Sequence, residues 1–138
     1  MRGSPAPGDV HRLSFIVTEG RTVPRLYPES PDFAAMPPVF ATGYMVGLME
    51  WACMEALRPY LEEGEGSLGT AIDVTHVAPT PPGLTVTVTV TCTEAAGRRL
   101  AWRVSAHDGV ELIGEGTHRR AVVRWDAFLP RVAAKRPA

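Results

Sequence analysis

The sequence is short of the features that assign function most directly. It has no apolar run of the ~18 residues that a membrane-spanning helix needs. Its first eight residues, Met-Arg-Gly-Ser-Pro-Ala-Pro-Gly, lack the apolar core of a signal peptide and are expected to have no fixed structure. The formal net charge is −1, so nothing draws the chain to nucleic acid or an anionic membrane. Cysteine is scarce: Cys53 and Cys92 are the only two. They are expected to be buried thiols in a reducing cytoplasm, with one disulfide as the alternative. His11, His107 and His118 lack metal-ligand spacing such as His-x-x-x-His, so no metal site is expected. No glycine-rich phosphate loop opens a helix, and no serine sits in a nucleophile elbow. No repeat or long linker divides the chain, which predicts one domain over residues 1–138.

What is present centres on Tyr44 to Met54, Tyr-Met-Val-Gly-Leu-Met-Glu-Trp-Ala-Cys-Met, where Glu50 is the only charge. A helix apolar on all sides is a buried helix. A buried carboxylate must be paired, hydrogen-bonded or protonated. Glu50 is therefore either a satisfied structural group or a piece of chemistry. The spacing predicts a helix from Ala41 to Tyr60, preceded by prolines that suit a first turn.

Before it, residues 10–18 read as a strand. Residues 19–38 carry Pro24, Pro28, Pro31, Pro37 and Pro38, which forbid a long helix. They also carry Val23, Leu26, Phe33 and Met36, and a long apolar loop is either a lid or a loop packed on the core. After the helix the period becomes two. Strands are predicted over residues 67–78, 84–91, 100–107 and 110–124, with turns at Pro79–Gly83, Gly97 and Asp108-Gly109. A short helix is predicted over residues 125–133. One apolar helix followed by a meander packs most simply with the sheet curled around it. The expected fold is therefore α+β and hot-dog: a long central helix wrapped by a curved antiparallel sheet, with an apolar lid loop before the helix. An open sheet edge in such a fold is commonly covered by a second copy.

The residues that could do chemistry are few. Thr42 has a hydroxyl and is otherwise a helix-cap or first-turn residue. His76 shares a strand face with Ile72 and Val74, while Asp73 and Thr75 face the other way. It is either a core histidine or a base that pairs with Glu50. Thr42 and Glu50 are eight residues apart, roughly 12 Å along a helix. They can serve one site only through a substrate, a third residue or a partner subunit. Arg120 shares parity with Val122 and points inward if Val122 does. Arg21, Arg25, Arg98 and Arg99 are candidate phosphate contacts.

Several stretches together resemble the fluoroacetyl-CoA thioesterase family of hot-dog hydrolases. They are Leu26–Pro31, Val39–Gly43, Met45–Cys53, Gly64–Ile72, Val74–His76, Pro81–Val88 and Trp102–Gly109, in order from about residue 15 to 123. The resemblance implies a cytoplasmic homodimeric acyl-CoA thioesterase that hydrolyses fluoroacetyl-CoA to fluoroacetate and CoA, in detoxification or self-resistance. Coenzyme A is then part of the substrate, and no other cofactor is implied. By motif position it implies catalytic Thr42, Glu50 and His76, a backbone N–H of Gly69 on the thioester carbonyl, and Arg120 nearby. Val23, Leu26, Phe33 and Met36 would form the lid over the acyl group. The family's fluoroacetyl-selective enzyme is expected to have Phe where this chain has Met36, a side chain that fills space differently.

Water attack, an acyl-enzyme and removal of an acidic α-proton by His76 are all open to these residues. Three other readings compete: a general short-chain thioesterase, a hydratase using Asp73 and His76, and a non-catalytic acyl-CoA-binding module. Strand parity weighs against the hydratase.

Overall fold

The computed structural model describes residues 1–137. Alternation builds its sheet. The run Leu-Thr-Val-Thr-Val-Thr-Val-Thr becomes the middle of β3 (Thr85–Ala96), with Val86, Val88, Val90 and Cys92 buried and the threonines turned outward. β4 (Arg99–His107) buries Leu100, Trp102, Val104 and Ala106 on the same side. Each valine or leucine so buried contributes about 1.5–3 kcal/mol. β3 and β4 turn at Gly97, whose φ of +64° suits glycine. β5 (Leu112–Arg124) follows a turn at Gly109, φ +89°.

The helix α3 spans Thr42–Leu57. It begins no earlier because the backbone just before it is extended and paired elsewhere, Ala41 N–H donating to the Arg21 carbonyl at 3.0 Å. Phe40 likewise forms an isolated bridge with Thr22. A 3-10 turn over Arg58–Tyr60 ends the helix. Met45, Leu48, Met49, Ala52, Cys53 and Leu57 face the sheet and form one core cluster with Val86, Val88, Val90, Trp102 and Val104. Cys53 and Cys92 are both free and buried. A short helix α4 (Trp125–Ala133) closes the described chain where one was predicted.

The helix is not buried all round. Trp51 and Met54 are exposed, and a side chain at Gly47 would meet nothing within 4 Å. One apolar face of α3 is therefore open, which a pattern of apolar residues alone could not reveal.

The sheet order is β1-β3-β4-β5-β2, where β1 is Val10–Ile16 and β2 is Glu65–Val74. This corrects the simple meander. β2 pairs with β5, not with β3. Residues 79–83 are not a hairpin turn but a crossing to the far side of the sheet. Prolines at 79, 81 and 82 supply no N–H for a ladder, and the crossing is pinned elsewhere. Phe40 N–H donates to the Thr80 carbonyl at 2.8 Å, and the buried Thr80 hydroxyl donates to Asp108 at 2.9 Å. β2 is left as an edge, exposed from Gly69 to Asp73, with a β-bulge at Thr70.

The lid segment is not an irregular loop throughout. It holds two single-turn helices, α1 (Val23–Leu26) and α2 (Pro31–Ala34), each with proline at its start, where the missing N–H costs nothing.

Residues 1–8 also depart from the expectation of no fixed structure. Arg2 N–H donates to the Tyr60 carbonyl and Gly8 N–H to the Cys92 carbonyl, both at 2.8 Å. The Met1 ammonium lies 2.8 Å from Glu65, whose side chain is enclosed and also meets Arg98 at 3.0 Å. The ammonium, then the Glu62 backbone N–H, hold the Glu65 carboxyl down at about 2.

Candidate active site

The structure groups the candidate residues into two clusters along one helix. The first is at the start of α3. Thr42 is the first helical residue, and Ala41 holds the cap position without a side-chain cap. The Thr42 hydroxyl is thus free of the capping role. It lies 2.7 Å from His76 Nδ1, just past the end of β2. The other ring nitrogen, Nε2, is buried and has no hydrogen-bond partner among the described residues. Burial pushes the His76 pKa down, so the ring is neutral at pH 7 and can accept a proton. If Nδ1 accepts from Thr42, Nε2 carries the ring's proton and is a buried donor awaiting an acceptor.

This pair lies in a cleft of about 290 Å³ whose walls include Val23, Met36, Val39 and Phe40. Two lid residues, Val23 and Met36, therefore border it directly, and Met36 is 49% exposed. Leu26 instead sits on Gly43, where an added Cβ would come within 3.0 Å of its Cδ2. Phe33 packs against Tyr27, with ring centroids 5.5 Å apart. Those two hold the lid together and anchor it to α3.

The second cluster lies two turns along α3. Glu50 does not pair with His76 within the chain. Its Oε2 accepts from Arg120 Nη1 at 2.9 Å. Nor is it a buried carboxylate: its side chain is 38% exposed, whereas Arg120 is only 4% exposed. Arg120 does point inward, as parity with Val122 required. Its Nε donates to Ser67 Oγ at 2.8 Å and its Nη2 to the Ser67 carbonyl at 2.9 Å. Gly69 leaves room for this arrangement, since a Cβ there would sit 2.7 Å from Glu50 Oε2. Val46, Glu50, Gly69, Ala71, Ile72 and His118 line an open hollow of about 310 Å³ at the β2 edge.

Sequence reasoning missed His118 and Ser67. The signal for His118 was available, since it stands two residues from Arg120 and so shares its face. It is buried, and its Nδ1 lies 2.7 Å from the Ala71 carbonyl. Other candidates are engaged elsewhere. Arg21 stacks over Tyr44 at 5.1 Å, and Arg98 meets Glu65. Asp73 is exposed in register with Thr117, on the face opposite His76. Gly114 and Gly116 admit backbone rather than ligand: a Cβ at either would strike the carbonyl of Thr75 or Asp73. No group of three or more metal-binding side chains occurs among the described residues. No described helix is long and apolar enough to cross a membrane.

Comparison with known proteins places the chain in a family. The family model described as fluoroacetyl-CoA-specific thioesterase matches residues 17–126. The fluoroacetyl-CoA thioesterase of Streptantibioticus cattleyicolor is 60% identical over 138 residues, 100% of this chain and 99% of that one. A solved structure of the fluoroacetyl-CoA thioesterase FlK superposes with a TM-score of 0.95 at 60% identity, covering 98% of this chain and all of that one. A Thermus thermophilus protein described as a thioesterase superfamily member superposes at 0.83 with 29% identity, over 98% of this chain and 97% of that one. Matched in both sequence and fold over nearly its whole length, the chain belongs to the fluoroacetyl-CoA-specific thioesterase family of hot-dog hydrolases.

Proposed function

We propose that the protein hydrolyses fluoroacetyl-CoA to fluoroacetate and CoA, a detoxifying or self-resistance activity, as a cytoplasmic homodimer. The observation that carries this reading is the 2.7 Å contact between Thr42 and His76, in a cleft bordered by the lid residues Val23 and Met36. Neutral His76 accepts the Thr42 proton as the hydroxyl oxygen attacks the thioester carbonyl. The C–S bond breaks, the CoA sulfur takes the proton back from His76, and water then releases the acid by the same route. The partner's Gly69, at the bulge of its open edge strand, offers its N–H to the developing oxyanion. CoA enters as part of the substrate, and the scheme asks for no other cofactor.

The homodimer accounts for features that one chain leaves open. The edge of β2 and the bare face of α3 adjoin each other, and an exposed apolar helix beside an unpaired strand is a surface for a second copy. Antiparallel pairing of two β2 edges would bring the partner's Glu50 and the partner's Gly69 toward His76. The partner's Glu50 would then accept the buried Nε2–H and stabilise the imidazolium, the role of the acid in a hydroxyl–imidazole–carboxylate triad. Two free buried thiols fit a reducing compartment.

A second reading, a general short-chain thioesterase, is favoured by Met36. Met is flexible and half exposed here, so it closes the cleft less firmly than a ring would. A related solved structure is a phenylalanine-to-alanine mutant of FlK in complex with fluoroacetate and CoA, 63% identical and superposing at 0.88 over 90% of this chain and 99% of that one. Thiol release from fluoroacetyl-CoA, acetyl-CoA and longer acyl-CoAs, measured side by side, tests both. A strong preference for fluoroacetyl-CoA supports the first reading and comparable rates support the second. No release from any of them sinks hydrolysis and leaves a binding module.

A further inference from the structure

Arg120 is held on every side. Ser67 takes its Nε and Nη2, while Nη1 is shared between Glu50 Oε2 at 2.9 Å and His118 Nε2 at 3.2 Å. An arginine has only donors, so the ring nitrogen facing it must be the bare one. The other face of the ring supports the same assignment. Nδ1 lies 2.7 Å from the Ala71 carbonyl, which can only accept, so Nδ1 carries the proton. Both contacts are met by one tautomer of a neutral ring.

We propose that His118 is a positioning residue for hydrolysis: its bare Nε2 holds the Arg120 guanidinium in the pose that fixes Glu50, while its Nδ1–H ties that assembly to Ala71 at the β2 bulge. The proposal rests on Glu50 serving the thioesterase site. It assigns His118 no contact with substrate. A second proton on the ring would place N–H against N–H at Arg120 and break the hold. Burial first, and the Arg120 charge after it, disfavour that proton, while the Ala71 carbonyl and Glu50 act the other way. The charged or titratable groups around the ring are thus Arg120 from β5 and Glu50 from α3. Cys53, also on α3 and within the field of both, stays a neutral thiol because burial pushes it up to about 12.

Two variants separate the functions of the two nitrogens. His118→Asn keeps a donor where Nδ1 was and removes the acceptor at Nε2. His118→Gln places an amide oxygen near the Nε2 position and gives up the bond to Ala71. With fluoroacetyl-CoA as substrate, H118N is expected to lower kcat at least about tenfold, toward the hundredfold cost of an ångström's misplacement, with little change in KM. H118Q is expected to stay within about threefold of the parent kcat, since it restores the bond to Arg120. Full kcat in a folded H118N, or an equal loss in both variants, overturns the proposal.

Ring 15N NMR of the whole protein reads the geometry without turnover. The expected result is protonated Nδ1 and bare Nε2 on His118, with separately resolved Arg120 Nη signals that merge in H118N and not in H118Q. The opposite tautomer overturns the proposal even if H118N fails to fold. A parent protein that releases no thiol but shows the expected tautomer sinks the hydrolysis reading and, with it, the catalytic meaning given to His118.

Discussion

Thr42 Oγ1 meets His76 Nδ1 at 2.7 Å, while Glu50, on the same helix as Thr42, turns to Arg120 at 2.9 Å. One chain therefore holds a hydroxyl–imidazole pair and a carboxylate–guanidinium pair that do not touch. If the first pair does the chemistry, Thr42→Val, which keeps the shape and removes the hydroxyl, lowers kcat by roughly 10²–10⁴-fold, the range for a lost proton-transfer partner. Thr42→Ser retains most of it. Thiol-release kinetics with matched melting curves check both. A Thr42→Val enzyme as fast as the parent would remove the hydroxyl from the mechanism.

Glu50 supplies a test of the composite site. Glu50→Gln and His76→Ala proteins should each be nearly inactive alone. Mixed under conditions of subunit exchange, they should recover about a quarter of the parent activity, because one of the two sites in each heterodimer is then intact. No recovery despite demonstrated exchange would place both residues in the same subunit's site.

Gly69→Ala should leave the fold in place and disturb the chemistry. The new methyl would sit 2.7 Å from Glu50 Oε2 and 3.5 Å from Arg120 Nη1, so the exposed carboxylate must move. The expected outcome is a melting temperature within a few degrees of the parent and a clear fall in kcat. Unchanged kinetics would mean that the pose of Glu50 is not used.

How much of this was legible in the sequence depends on the range of the interaction. Alternation over 84–91 and turn glycines at 97 and 109 placed β3, β4 and β5, because those signals are local. The crossing of β2 was not legible, since a period of two says which face a residue takes and nothing about which strand lies alongside. The partner of Glu50 was missed for a similar reason. Arg120 is 70 residues away, and apolar neighbours in sequence hid the fact that one face of α3 is bare. Arg120 itself was placed inward by parity alone. The same parity put His118 on the inward face beside Arg120, a signal that the search for metal-ligand spacing passed over.

Stability should fall with acid in two stages. His76 and His118 have pKa values below the ordinary 6.5, His76 through burial and His118 through burial and then Arg120. The unfolded chain binds their protons first, so the stability they confer is full above about pH 6.5 and declines as pH falls below it. Glu65, held at about 2 against an ordinary 4.5, confers stability that is present above about pH 4.5 and is lost as pH falls toward 2. Melting temperature against pH should show both declines. Glu65→Gln should flatten the lower one, and a parent curve that is level from pH 7 to 3 would contradict both assignments.

The bulge at Thr70 has an arithmetic consequence. Gly69 and His76 are seven positions apart, an odd interval that in an unbroken strand sends two residues to opposite faces. The extra residue resets the count, so Gly69 pairs across from inward Arg120 and Ile72 from inward His118, and the face that receives Glu50 continues to His76. Removing Thr70 would leave an even interval of six, so a regular ladder would keep Gly69 and His76 on the same face. The strand can therefore lose its one extra residue and keep its faces, whereas one more inserted residue would need a wider bulge to do so.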